Sequence, residues 1–266
     1  MGLILLLCSV LPAQELKKKE WSISLGAGQL SQQHLVFSPF VHQDISFLNL
    51  GLSYSRQADF YQQYRLTVAN FSSMVAEPFI FREYDEVQTA NPHSFTFVNL
   101  DYILGKALKR GQTSGFTVGG LFSAKIQANN YVYGRFSNFG YFSTLGLGVF
   151  GKYDYMPGMR NKFSFTARVP LVSWLAQSPY LVNDDEYIEN TYSHSGITTF
   201  FDFIADGEAA SWNRLQYLDL EARYQYRLSD RWALGAAYAF EFIHSSEPRP
   251  LWSFRNGLMF STSYQF

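Results

Sequence analysis

Apolar and polar residues alternate with period two along most of the chain, which predicts strands with two unlike faces. In the first such run Trp21, Ile23, Leu25 and Ala27 share one face, and Ser22, Ser24, Gly26 and Gly28 the other. Leu48, Leu50, Leu52 and Tyr54 alternate likewise with Asn49, Gly51, Ser53 and Ser55. Further runs lie near 60–71, 96–104, 116–126, 141–153, 163–171, 218–226, 232–242 and 254–266, and no stretch shows a convincing helical period. Short polar turns such as Arg56-Gln57-Ala58-Asp59 and Leu228-Ser229-Asp230-Arg231 separate some strands, and longer loops, above all 72–94 and 176–212, separate others. The pattern predicts an all-β, up-and-down antiparallel meander of about ten strands, with both termini on the short-turn side. The apolar stretch 197–204 reads as a strand extending above the membrane, which would raise the count to twelve, or as a lid or docking patch.

Alternation alone does not say which face is buried, and composition narrows the choice. The 266 residues are 47% hydrophobic, 18% aromatic and only 16% charged, too apolar to stay disordered. Past the first dozen residues no run approaches the roughly 18–20 apolar residues that a membrane-crossing helix needs. The strands are longer than those of soluble sheets and match the roughly 9–11 residues of an oblique bilayer crossing. Trp21, Tyr54, Tyr153 and Trp232 crowd the turn ends, and Trp212 and Trp252 the loop ends, as two interfacial girdles would. A closed antiparallel transmembrane β-barrel is therefore expected, its apolar face toward lipid, because closure alone pairs every strand edge there. The formal net charge of −1 offers nucleic acid no attraction, and no such partner is expected.

The first residues carry a different signal. An apolar core from Leu3 to Leu11 ends at Pro12-Ala13, which reads as a signal peptide over 1–13 cut after Ala13. A periplasmic segment over 14–20 and a barrel over 21–266 would follow. The single cysteine, Cys8, falls in the leader and follows Leu7, which is too large for a lipidation site. The mature chain then has no disulfide and no thiolate chemistry.

The terminal Ser261-Thr262-Ser263-Tyr264-Gln265-Phe266 resembles the C-terminal signature of bacterial outer-membrane β-barrels. The resemblance implies an outer-membrane protein whose Tyr264 and Phe266 are read by the assembly machinery during insertion, with outer-membrane lipid as its surroundings and both termini periplasmic. Omptin-like surface proteases are ten-stranded members of that class. The nearest parallel to their acidic pair and histidine is Asp184, Asp185 and His194, all in one loop here, whereas that family draws on opposite walls. No catalytic set is assigned.

If the apolar face meets lipid, the other lines a narrow lumen holding Arg65, Lys125, Arg168, Arg223 and Arg255 against Asp101, Asp219, Glu221 and Glu241. Neighbouring strands would set Arg65 beside Asp101, Arg168 beside Asp219 or Glu221, and Glu241 beside Arg255. Paired, these charges would plug the bore; left open, they would select permeants. The long loops are acidic and the turns basic. All five histidines lie in loops or at strand ends, where they are expected to be solvated, and no spacing matches a ligand motif, so no metal or cofactor is expected. Asp184, Asp185, His194, Phe200, Phe201 and Phe203 are the candidate loop-binding residues. The expected role is a surface binding or accessory subunit docking a further outer-membrane or surface protein or a ligand, with a narrow channel and a surface hydrolase as rivals.

Overall fold

A computed structural model describes residues 18–73, 79–83, 85–90, 92–111, 113–133, 136–178 and 196–266. The expected leader over 1–13 lies outside the described residues, as do Asp184, Asp185 and His194. The elements in chain order are β1 (Lys18–His34), β2 (His42–Gln57), β3 (Tyr61–Ser73), a hairpin of β4 (Phe79–Glu83) and β5 (Glu86–Ala90), β6 (Ser94–Arg110) and β7 (Ser114–Tyr133). They continue through β8 (Phe136–Tyr155), β9 (Asn161–Gln177), α1 (Gly196–Ala205), β10 (Glu208–Ser211), β11 (Leu215–Arg227), β12 (Trp232–Ser245) and β13 (Leu251–Gln265).

Ten strands close into a barrel in the order β1-β2-β3-β6-β7-β8-β9-β11-β12-β13, each antiparallel to its neighbours. Closure is made by β1 on β13, from Glu20↔Gln265 up to His34↔Leu251. The first and last described strands thus begin and end together on the short-turn side, as the parity of the meander requires.

Register keeps the apolar set outside. Leu25 pairs with Leu50 and Phe260, and all three are exposed on the outer wall, Phe260 at 61%. Trp21 pairs with Tyr54 and Tyr264, and the Trp21 and Tyr54 rings lie 5.0 Å apart in the turn-side girdle. On β1 the outward series Trp21, Ile23, Leu25, Ala27 gives way to Gln29, Ser31 and Gln33, so that strand leaves the lipid belt several residues below its end. Close approach fixes one inner glycine: a Cβ on Gly105 would sit 2.5 Å from the Phe150 ring.

The wall changes character at Pro170. β8 holds one edge of β9 from Phe163 to Gln177, while β11 holds the other only from Asn161 to Arg168. Proline has no N–H to give the ladder. Above it, Val172 to Leu175 pair with the short β10, which stands outside the closed ten.

The stretch 197–204 is neither a strand nor an open loop but lies in α1, so the twelve-strand alternative is set aside. Ile197, Phe200, Phe201 and Ile204 recur at helical spacing, a short signal overshadowed by the strand pattern on either side. Phe203 stacks on Tyr141 at 4.3 Å, and the Trp174 indole N–H donates to the Ile204 carbonyl at 2.6 Å, holding α1 to the wall of β8 and β9. The other long loop, 72–94, carries the β4–β5 hairpin.

An arginine in place of Leu50, in the middle of the outer belt, should cost roughly 2–4 kcal/mol of stability in lipid vesicles. Denaturant titration of Leu50→Arg in phosphatidylcholine vesicles checks this, and unchanged stability would mean that the face does not meet lipid.

Candidate functional site: a lumen closed by charge and by aromatic rings

Inward positions on seven strands place nine charged side chains at mid-height, because the residues that alternate with the lipid-facing set can only point into the bore. Arg65 on β3 is the hub. Its Nε and Nη2 donate to Asp101 Oδ2 at 3.0 and 2.6 Å, Nη2 to Asp219 Oδ2 at 2.8 Å, and Nη1 to Glu221 Oε2 at 2.6 Å. β3 and β11 stand diametrically opposite in the strand order, so one guanidinium spans the lumen.

The remaining charges join the same net. Arg168 reaches Asp219 at 3.0 Å and Glu221 at 3.5 Å, and Arg223 Nε reaches Glu221 at 3.0 Å. Lys125 bonds Glu241 and lies 3.7 Å from Asp219. Arg255 reaches Glu241 at 3.0 Å, Tyr217 donates to Glu241 at 2.8 Å, and Ser123 to Asp101 at 2.7 Å. Lys125 also lies over the Tyr217 ring and Arg255 over that of Phe97. The structure therefore brings Arg65, Asp101, Lys125, Arg168, Asp219, Glu221, Arg223, Glu241 and Arg255 into one continuous network.

Above it aromatic and aliphatic side chains enter the bore among buried polar ones such as Gln32, Gln127 and Asn129. Leu30, Ala69, Phe71, Phe95, Phe97 and Tyr131 cluster inside the barrel with Phe37, which the β1–β2 connection folds down into the mouth. The Phe37 N–H donates to the His34 carbonyl at 2.9 Å, and its ring sits edge-on to His34 at 4.2 Å. A second cluster, with Phe142, Leu215, Tyr217, Ile243 and Leu251, fills the opposite side. Sequence reading missed this plug, although Phe71, Phe95 and Phe142 stand on the polar side of the alternation and were visible as exceptions. Within the β1–β2 connection Phe37 belongs to the plug, whereas Phe40 is exposed.

The histidines correct an expectation. His34 is buried, and His42 lies between His93, Phe95 and Tyr131 with ring centroids 4.6–5.4 Å away. His93 Nε2 meets the fully buried Asp44 carboxylate at 2.7 Å. Among the described histidines His244 alone stands on the outer wall, its ring 3.9 Å from that of Trp252. Turn residues and loop ends look solvated in a sequence, but here the first loop folds inward and covers them. No group of three or more metal-ligating side chains occurs among the described residues.

Of the candidate loop residues, Phe200, Phe201 and Phe203 lie on α1, with Phe201 exposed to solvent and Phe203 against Tyr141. Tyr264 faces the turn-side girdle, its ring 5.0 Å from Trp232 and 6.1 Å from Phe266.

Among solved structures, the fold is similar to that of the outer membrane protease OmpT from Escherichia coli. That match has a TM-score of 0.58 at 5% identity and covers 97% of this chain and 99% of that one. The chain has the fold of bacterial outer-membrane β-barrels. Looser matches are the translocator domain of autotransporter NalP from Neisseria meningitidis (TM-score 0.41, 6% identity, 93% of this chain and 88% of that) and the Pseudomonas putida toluene transporter TodX (0.36, 9%, 95% and 90%). No family model and no curated protein matches the sequence.

Removing the hub leaves three buried carboxylates short of a cation. Arg65→Ala should lower stability by roughly 3–5 kcal/mol, measured by denaturant unfolding, whereas Lys106→Ala on the outer wall should change it little.

A pH dependence follows from the plug. His34 and His42 stand above the lipid belt, and burial pushes their pKa values down to about 3 and about 4. The neighbouring His93 lowers His42 further, against the pull of Asp44. Unfolded, both would bind protons near pH 6.5. The folded state is thus fully favoured above that pH and loses ground as pH falls toward 4. Thermal melting should show a midpoint several degrees lower at pH 4.5 than at pH 7, a difference that His34→Gln with His42→Gln reduces.

Proposed function

We propose that the protein is an outer-membrane barrel with periplasmic termini, a closed lumen, and a surface binding or accessory role exercised by its outer rim. The observation that carries this reading is the space left in the middle of the bore. The cavity among Arg65, Asp219, Glu221, Glu241 and Arg255 measures about 90 Å³, against about 540 Å³ in the space below it. Strands this long, tied across the bore by a charge network and capped by aromatic side chains, form a rigid stand for what projects above them. The projecting parts are the β4–β5 hairpin, α1 and β10, with Phe201 and the acidic Asp85, Glu86, Asp202 and Asp206 exposed on them. An apolar side chain set among carboxylates suits a partner that presents a basic, partly apolar surface. Outer-membrane lipid surrounds the belt, and the assembly machinery reads Tyr264 and Phe266.

Reconstituted into planar bilayers, the protein should pass no steady current, while Arg65→Ala and Arg168→Ala combined with Phe37→Ala and Phe95→Ala in the plug should open a measurable conductance. A steady current from the unaltered barrel would replace this reading with a channel. A photo-crosslinking residue at Phe201 should capture one discrete partner in intact cells, and its failure to capture any would remove the docking role.

A further inference from the structure

Below the charge network the bore opens into a chamber of about 540 Å³ that faces the short-turn side. Its charges do not balance. Lys152 and Lys162 both reach Asp154, at 3.4 and 3.5 Å, so two ammonium groups share one carboxylate. Ser164 donates to the same carboxylate at 2.6 Å, and Lys152 is mostly buried over the Tyr61 ring at 4.2 Å. Arg223 spends its Nε on Glu221, a carboxylate that also serves Arg65 and Arg168, and its two terminal nitrogens have no hydrogen bond among the described residues. Arg227 lines the chamber without an ion pair among those residues, and Lys18 and Lys19 stand at its rim. The other carboxylate here, Glu20, accepts from the neutral amides of Gln225 and Gln265 at 3.1 and 2.9 Å.

Cations enclosed by a wall that faces lipid are poorly screened, and an excess of them draws an anion into the cavity. We propose that this turn-side chamber is a binding site for a phosphate-bearing anion, held between Lys152, Lys162 and the terminal nitrogens of Arg223. Two ammonium groups act as point charges and the guanidinium offers a planar fork, a donor set suited to a phosphate dianion rather than to a single carboxylate. Among the described residues, the filled middle of the lumen leaves the turn side as the approach. The phosphate then comes either from a soluble solute or from a lipid headgroup at the rim.

Inorganic pyrophosphate, titrated calorimetrically into the full chain in a non-ionic detergent at low salt, should bind saturably with one site and weaken steeply as sodium chloride is added. Lys152→Gln with Lys162→Gln should reduce affinity tenfold or more. Asp154→Asn, which removes the competing carboxylate, should preserve or tighten it, and Lys106→Gln on the outer wall should leave it unchanged. Far-UV circular dichroism establishes that each variant is folded, and Lys162→Gln alone, on the more exposed wall, serves if the double variant is not. Absence of saturable heat from the unaltered protein, or affinity indifferent to the lysine substitutions, overturns the proposal. Titration in phosphatidylcholine nanodiscs with and without phosphatidylglycerol separates the two sources: competition by the anionic lipid assigns the site to a headgroup, and unaltered affinity assigns it to a solute.

Discussion

A backbone amide in hydrocarbon has no water to bond, so a sheet in a membrane is stable only when its two edges meet. The pairing of β1 with β13 over fifteen registered positions meets that demand, and the other features follow from it. Once the sheet is closed, alternate residues have only two destinations. Leu25, Leu50 and Phe260 go to the outside, and Ser24, Gly51 and Ser261 to the inside. Ten strands enclose a bore narrow enough for side chains to bridge.

Filling that bore is the second problem, and the chain solves it differently at different heights. In the middle, Arg65 lies among three carboxylates from two other strands, and each of those carboxylates has a further donor. Charges so buried cost several kcal/mol each in desolvation, and mutual pairing offsets this only when the net is complete. Toward the outer mouth the filling is aromatic, and Phe37 closes it from above. Toward the turns Tyr61, Ile103, Leu121 and Phe150 fill only one side, and the rest of the wall is left with more ammonium and guanidinium groups than carboxylates.

The two ends therefore differ in kind. The outer end is shut and carries added structure, in which α1 leans on Tyr141 and Trp174 and β10 takes the β9 edge that Pro170 breaks from β11. Such additions are affordable because the barrel beneath them is braced at mid-height. The turn-side end is open and cationic.

Period-two alternation settled the strands and their faces, because a residue's side of a sheet depends only on its place along its own strand. It also placed the nine lumen charges on the inner face and matched neighbours such as Arg168 with Asp219, since adjacent strands of a meander are adjacent in sequence. Nothing local could say that Arg65 reaches Glu221, 156 residues away, because that contact depends on the circumference of the closed sheet. The burial of His34 and His42 was hidden for a related reason: the first connection turns inward only because the bore below it leaves room for Phe37. The helix at 196–205 was overlooked because ten residues give a helical period too few turns to stand out against long strands. Local pattern thus decided which residues face in and which face out, and closure of the barrel decided which of the inward ones touch.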